Sequence, residues 1–173
     1  MSGTPAIRAT LPADTRAIDA LYASAFPTED LRPLVRALSE TGVPSLVALH
    51  AGDVAGHAVF TPCTVGEGTA PAALLGPLAV APGLQRQGIG SALIRAGLAR
   101  LRAQAVPLVL VLGDPAYYGR FGFTMEQGVL PPYDLPAAWR TAWQSRRLAE
   151  DGPRLHGLLA VPEPWRRPEL WSG

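Results

Sequence analysis

The stretch from residue 72 to residue 105 constrains the fold of this chain most strongly. Residues 72–81 are apolar and uncharged, which is typical of a buried strand. After the Pro82-Gly83 turn, apolar residues recur at helical spacing on one face, namely Ile89, Leu93, Ile94, Leu98, Leu101 and Ala105. Arg95 and Arg102 fall on the opposite face. The stretch therefore predicts a strand, a turn and a long helix, as in α/β proteins.

The remaining apolar pattern extends this unit to a mixed sheet with helices on its faces. It predicts a strand at 7–11, helices at 14–25 and 31–38, a hairpin that turns at 51–53, a strand at 108–112 with a short helix after it, and a late strand at 155–161. Because 173 residues is about the length of one domain, we expect a single domain over residues 1–173. Its last part, 124–173, is expected to complete the sheet, with its tryptophans packed in the core and lid.

Composition excludes several classes of function. All 15 basic residues are arginine, so a lysine Schiff base and a lysine phosphate loop are both ruled out. The formal net charge is +1, which predicts neither nucleic-acid binding nor attachment to an anionic membrane. The single cysteine, Cys63, gives no disulfide framework and indicates a reducing cytoplasm.

Neither a membrane span nor a signal peptide is predicted. Residues 68–85 carry no charge, but Pro71, Pro77 and Pro82 would break a spanning helix repeatedly. The first twelve residues lack the basic region and apolar run of a signal peptide. The histidines at 50, 57 and 156 have no acidic or cysteine partner at ligand spacing, so we expect no metal site.

The turn into the long helix has the composition of an anion site. It reads Gln85-Arg86-Gln87-Gly88-Ile89-Gly90, with Ser91 next. Glycines at a helix start let backbone N–H groups approach a phosphate, and the helix dipole favours the negative charge. The same residues also suit a tight strand-to-helix turn with no ligand, and the turn alone does not decide between the two.

Two motifs together resemble the GNAT superfamily of N-acetyltransferases, in particular its YhbS-like branch. Gln85, Gly88 and Gly90 match the (Q/R)-x-x-G-x-(G/A) signature of that family. Residues 117–123, YYGRFGF, are similar to the aromatic-Tyr-x-x-x-Gly-Phe segment that follows the next strand in the family. The opening strand and helix also resemble those of GNAT proteins. The similarity in order and spacing covers roughly residues 6–125.

The resemblance implies a mostly antiparallel central sheet with helices on both faces and a splayed parallel strand pair. It further implies a bacterial, cytoplasmic enzyme that transfers an acetyl group from acetyl-CoA to a primary amine. Tyr118 would protonate the departing thiolate. The main chain of residues 78–80 would pair with the pantetheine arm, and the amides of 86–91 would hold the pyrophosphate. The implied cofactor-binding residues are Leu78, Ala79, Val80, Gln85, Arg86, Gln87, Gly88, Ile89, Gly90, Ser91 and Tyr117.

Several points stay open at this level. Many family members carry a glutamate on the cofactor strand as general base, but residues 74–80 have no ionisable side chain. Glu67, Asp114 and Glu126 are candidate bases, and each is also suited to a solvated turn or a cap. An acyl-CoA-binding sensor without turnover is therefore the alternative to an enzyme. The acceptor is unspecified, residues 124–173 are expected on its side, and a homodimer remains open.

Overall fold

Nine strands and four α-helices lie in residues 3–67 and 70–173, the parts of the chain that the computed structural model describes. The strands are β1 (Ala6–Ala9), β2 (Ser45–His50), β3 (Asp53–Val65), β4 (Ala70–Val80), β5 (Leu108–Leu112), β6 (Thr124–Met125), β7 (Val129–Leu130), β8 (Trp143–Arg147) and β9 (Gly157–Ala160). The helices are α1 (Thr15–Ala25), α2 (Arg32–Glu40), α3 (Ile89–Ala103) and α4 (Pro115–Tyr118). Within these described residues, the chain divides into two compact units.

The first unit comprises the residues up to Phe60 and Gly76–Ala99. In it β2 pairs antiparallel with β1 and with β3, and the turn between β2 and β3 places Gly52 at φ +88°, a conformation that glycine adopts freely. The apolar faces of α1 and α2 bury Ile18, Leu21, Tyr22 and Val35 against Val47 and Ala79. On α3, Gly97 lies against the ring of Phe60, and a β-carbon at 97 would overlap that ring. The helix can therefore pack closely only with glycine there.

The second unit comprises Thr61–Leu75 and Arg100–Gly173. Here β4 pairs parallel with β5 at Ala73, Leu74 and Leu75, and β5 pairs antiparallel with β8. The two-residue strand β6 also pairs antiparallel with β8, while β9 pairs antiparallel with the end of β3 and parallel with β7. Its core contains Leu74, Leu110, Trp143, Leu159 and Trp171, which are all buried.

The predicted fold class is confirmed. The protein is α/β, and its strand pairings are mostly antiparallel with β4 and β5 side by side as a parallel pair. The predicted strand at 72–81, helix from Ile89 and strand at 108–112 correspond to β4, α3 and β5. Among the described residues no helix is long and apolar enough to cross a membrane; residues 68 and 69 of the uncharged stretch lie outside them.

Two local predictions need correction. Helix α3 ends at Ala103, so Ala105 is not part of its inner face; Ala105 is exposed and has φ +59°. The Val106 N–H donates to the Leu101 carbonyl, a bond that reverses the chain after the helix. Strand β8 was not predicted, since its sequence Trp-Gln-Ser-Arg-Arg is mostly polar and its buried Gln144 and Ser145 gave no apolar alternation.

Candidate functional site

The loop between β4 and α3 belongs to the first unit and holds most of the predicted cofactor residues. Leu78 and Val80 are half-buried, and Ala79 between them is buried, as expected for alternating strand residues. The Ala81 N–H donates to the Ala55 carbonyl at 2.8 Å, which ties the end of β4 to β3. A 3₁₀ turn at Pro82–Leu84 then leads into residues 85–88, whose side chains are exposed.

Side chains and backbone strain together shape this loop. The Gln85 amide nitrogen donates to the Val80 carbonyl at 3.2 Å, so it connects the loop to the end of β4. Arg86 has φ +62° and Gly88 has φ +86°. A positive φ in a residue with a β-carbon is uncommon, and it costs free energy at Arg86 that glycine does not incur. Such a conformation is typical of a functional loop.

The start of α3 carries backbone N–H groups that have no acceptor within the helix. The Ala92 N–H donates to the Gly88 carbonyl at 3.0 Å, and this is the bond that begins the helical ladder. The N–H groups of Ile89, Gly90 and Ser91 precede that bond, so they have no acceptor within the helix. A β-carbon built on Gly88 would meet nothing within 4 Å. The geometry therefore suits an anion that approaches the backbone closely.

Tyr118 lies in the second unit, just after the carboxyl end of β5. Asp114 caps the short helix α4, since its carboxylate accepts the Ala116 N–H at 2.9 Å. The Tyr118 N–H donates to the Asp114 carbonyl at 3.0 Å. The Tyr118 ring meets Tyr117 and Phe123 edge to face, with centroids 5.0 and 5.8 Å away. The ring of the predicted catalytic tyrosine is thus packed against two neighbouring aromatic rings.

The hydroxyl of Tyr118 stays protonated over the ordinary pH range. Burial raises the pKa of Tyr118 well above that of a free phenol, and the neighbouring Tyr117 raises it further. Tyr117 is also half-buried, with the Arg120 guanidinium 4.7 Å from its ring centroid. Tyr118 can therefore donate a hydrogen bond or a proton, and it does not act as a phenolate at neutral pH.

A buried amide supports Tyr118 from β8, a contact that the sequence did not reveal. Gln144 is 1% exposed, and its side chain donates to the Gly113 carbonyl at 3.0 Å. The Gly113 N–H donates to the Ala142 carbonyl at 3.0 Å. A β-carbon on Gly113 would lie 2.9 Å from Cδ2 of Tyr118, inside van der Waals contact. Strand β8 thus fixes the glycine on which the tyrosine ring rests.

The candidate bases have structural roles. Asp114 is the cap described above, which confirms that interpretation of it. Glu126 is half-buried, and its carboxylate accepts the N–H groups of residues 127–129 and the Ser145 hydroxyl. Glu67 lies exposed in a turn. Both oxygens of Glu126 accept hydrogen bonds, whereas Asp114 accepts its cap bond through one oxygen, Oδ1, and the general base stays unidentified.

The histidines and tryptophans form structural contacts. His57 is 2% exposed, its Nδ1 lies 2.9 Å from the Tyr22 hydroxyl, and burial lowers its pKa to about 4. Trp143 and Trp171 are buried in the core of the second unit, which confirms the predicted core packing. The Trp165 indole N–H donates to the Thr61 hydroxyl at 3.0 Å. Among the described residues, no three His, Cys, Asp or Glu side chains are grouped as metal ligands would be.

Similar proteins show which family this site belongs to. A family model described as an acetyltransferase (GNAT) domain matches residues 6–125. YjhQ of Escherichia coli K12, described as an uncharacterized N-acetyltransferase, is 34% identical over 149 residues, which is 83% of this chain and 77% of YjhQ. YhbS of the same strain, described in the same way, is 33% identical over 163 residues, or 91% of this chain and 94% of YhbS.

Solved structures agree with this match. The crystal structure of Escherichia coli YhbS in complex with CoA superposes with a TM-score of 0.84 at 32% identity, covering 94% of this chain and 92% of that one. A GNAT family acetyltransferase from Brucella melitensis in complex with acetyl-CoA gives 0.74 at 31% identity, covering 94% and 98%. The fold and these matches define an acetyltransferase. The chain belongs to the GNAT family, and YhbS and YjhQ are among its relatives.

Proposed function

We propose that the protein transfers the acetyl group of acetyl-CoA to a primary amine by direct attack. Acetyl-CoA supplies an activated acetyl carbonyl: the nitrogen–carbon bond forms, the carbon–sulfur bond breaks, and the products are an amide and CoA. The main support for the proposal is the start of α3, because its N–H groups have no acceptor within the helix and the space beside Gly88 is open, which suits a pyrophosphate. The CoA and acetyl-CoA bound to the two similar crystal structures support the same choice of ligand.

The loop would bind the pyrophosphate mainly through its backbone. The N–H groups of residues 86–91 would donate to the phosphate oxygens, and Arg86 and Gln87 are exposed beside them. Gln85 would keep the loop in position and would not bind the phosphate itself, since its amide already donates to the Val80 carbonyl. No lysine is needed, because the helix start supplies donors and a favourable dipole.

The end of β4 would bind the pantetheine arm through its main chain. Pro77 has no N–H to donate, so the backbone donors begin at Leu78 and run through Ala79 to Val80. Pairing of this kind adds an extended ligand to a strand by backbone hydrogen bonds. The uncharged side chains of this segment would leave those bonds free of competing charges.

Tyr118 would supply the proton for the leaving thiolate. Its raised pKa keeps the hydroxyl protonated, and its ring is fixed by Gly113, Tyr117 and Phe123. The amine proton would leave to water, since residues 74–80 carry no ionisable side chain. Water would then reprotonate the tyrosine. We place the acceptor on the side of residues 124–173, within one catalytic domain.

A binding module without turnover is the second candidate. It is favoured by one observation, the absence of an ionisable side chain on residues 74–80. Thioester consumption, measured with a panel of amines, separates the two. An enzyme consumes acetyl-CoA faster when a suitable amine is present, whereas a sensor binds acetyl-CoA and leaves the thioester intact with every amine.

We also propose that the protein works in the cytoplasm. The chain contains one cysteine, Cys63, which is buried as a free thiol. A chain of this kind needs no oxidising compartment to fold. Cell fractionation of the native source with an antibody to the protein tests this assignment.

A further inference from the structure

A cavity of about 590 Å³ in the second unit is lined neither by Tyr118 nor by the proposed cofactor-binding residues. It is lined by the amino end of β5, by β6 and β8, and by the loop after β8. Leu108 at the first position of β5 lines it, whereas Tyr118 follows the opposite end of that strand. Its volume is within the range of small-molecule sites, roughly 300–1,000 Å³.

Four arginine residues line this cavity, namely Arg102, Arg146, Arg147 and Arg154. Among the residues that the structure describes, the ion pairs are Arg8–Asp14, Arg32–Asp30 and Arg36–Asp19, so none of the four is paired with a carboxylate. Like charges that converge on a concave surface strengthen one another's field, and an anion relieves their repulsion.

The two carboxylates at the cavity do not neutralise these arginines. Glu126 accepts the N–H groups of residues 127–129 at 2.8 to 3.1 Å through Oε2. Its Oε1 accepts the Ser145 hydroxyl at 2.8 Å. Glu150 is exposed and forms no ion pair among the described residues. The cavity therefore carries more positive than negative charge, and Glu126 is directed to the backbone.

Backbone carbonyls hold two of the arginines in place without cancelling their charge. Nη1 of the half-buried Arg146 donates to the Phe121 carbonyl at 2.7 Å. Nη2 of Arg147 donates to the Gly152 carbonyl at 2.6 Å. A guanidinium has five N–H donors, so each side chain keeps donors for a ligand. Such fixed, charged donors are suited to phosphate or carboxylate groups.

We propose that this cavity binds a small molecule that carries at least two phosphate or carboxylate groups. Neighbouring strand residues project to opposite faces of a sheet, so Arg146 and Arg147 would hold different groups, and their directions are fixed by the Phe121 and Gly152 carbonyls. Arg102 from the end of α3 and Arg154 from the loop line the same cavity and would add donors for these groups. The proposal concerns a second site and does not depend on acetyl transfer.

Calorimetric titration of the full chain with inorganic pyrophosphate and with citrate tests the proposal. The variants are Arg146→Gln and Arg102→Gln. The control is Arg100→Gln, since Arg100 is exposed in the same last turn of α3 but does not line the cavity. We expect each cavity variant to weaken binding at least about tenfold, the usual effect of losing a charge-assisted hydrogen bond. The control should bind as the wild type does, and the tighter anion identifies the preferred group.

Each titration is run with and without saturating CoA, because pyrophosphate could also bind at the start of α3. Binding that CoA abolishes and that Arg146→Gln leaves unchanged would belong to that loop and would overturn the proposal. Equal weakening by Arg100→Gln, or no binding of either anion to the wild type, would overturn it too. Thermal unfolding without anions checks the fold, and Arg102→Gln, whose side chain is exposed, provides the test if Arg146→Gln unfolds.

Discussion

The ring of Tyr118 rests on the α-carbon of Gly113, with no room for a β-carbon between them. A β-carbon built at 113 would lie 2.9 Å from Cδ2 and 3.4 Å from Cζ of the ring. Gln144 holds the Gly113 carbonyl, so the position of the proposed proton donor is set by a strand that follows it in the chain. The relationship makes the backbone at 113 a positioning element for Tyr118.

Gly113→Ala should therefore lower kcat and leave the affinity for acetyl-CoA nearly unchanged. The added methyl group would displace the Tyr118 ring, and a misplacement of ~1 Å in a reacting group costs roughly 10²-fold in rate. Gly119→Ala is the matched control, because a β-carbon there meets nothing within 4 Å. Steady-state rates and calorimetric affinities of both variants are to be compared. Wild-type kcat in Gly113→Ala would remove the positioning role.

Tyr118→Phe should lower turnover while acetyl-CoA binding persists. The substitution keeps the packed ring and removes the proton, and general acid catalysis is worth about 10²–10⁴-fold. We expect a loss of turnover near the lower end of this range, because a CoA thiolate is a fairly stable leaving group. Burial raises the pKa of Tyr118, so its ionisation should cause no loss of rate below about pH 10. Retention of full activity by the variant would show that another group or water protonates the thiolate.

The strand–turn–helix unit could be predicted because its signals are local. The apolar run of β4 and the helical spacing of α3 each depend on neighbours in sequence. Strand β8 could not be predicted in this way, since Gln144 is buried for its hydrogen bond to Gly113 and not for its hydrophobicity. The end of α3 was misplaced because Ala105, a good helix former, adopts the positive φ usually left to glycine.

The candidate site likewise contains some residues that local sequence predicts and some contacts that it does not. Residues 85–91 and 117–118 could be named from sequence, since each group is contiguous and carries a family motif. Gln144 contacts Gly113 because strand pairing brings them together. Arg102 and Arg146 line one cavity although they are far apart in the sequence. Sequence spacing contains no direct signal for such contacts. The structure also shows Asp114 as the cap of α4, since Oδ1 accepts the Ala116 N–H.

Gly88→Val should abolish most of the stabilisation by acetyl-CoA. Ligand at about one hundred times its dissociation constant adds roughly 2.7 kcal/mol to the free energy of unfolding. Valine at φ +86° is strained, and its branched side chain would occupy the space open to the ligand. Gly83→Val is the control, because Gly83 has no positive φ and equally open surroundings. A full ligand-induced shift of the melting temperature in Gly88→Val would exclude the loop from the site.

Stability should fall in mild acid because of His57. Burial lowers the pKa of His57 to about 4 from its ordinary 6.5, although Asp14 opposes the shift. The neutral form of His57 is favoured in the folded state. Its contribution to the free energy of unfolding is therefore full above pH 6.5 and is lost as the pH falls towards 4. A shift of this size corresponds to about 3 kcal/mol. Chemical denaturation across that range should show the loss, and His57→Gln should flatten it, whereas His50→Gln at an exposed position should not.

The most direct test of acetyl transfer is to follow an isotope-labelled acetyl group from acetyl-CoA into product by mass spectrometry. The purified protein is incubated with a panel of primary amines, peptides and proteins, beside Gly88→Val and a sample without enzyme. We predict a labelled amide on at least one amine, formed with an equal amount of free CoA, and its loss in Gly88→Val. Tight acetyl-CoA binding with no labelled amide on any acceptor would contradict acetyl transfer and favour the binding module.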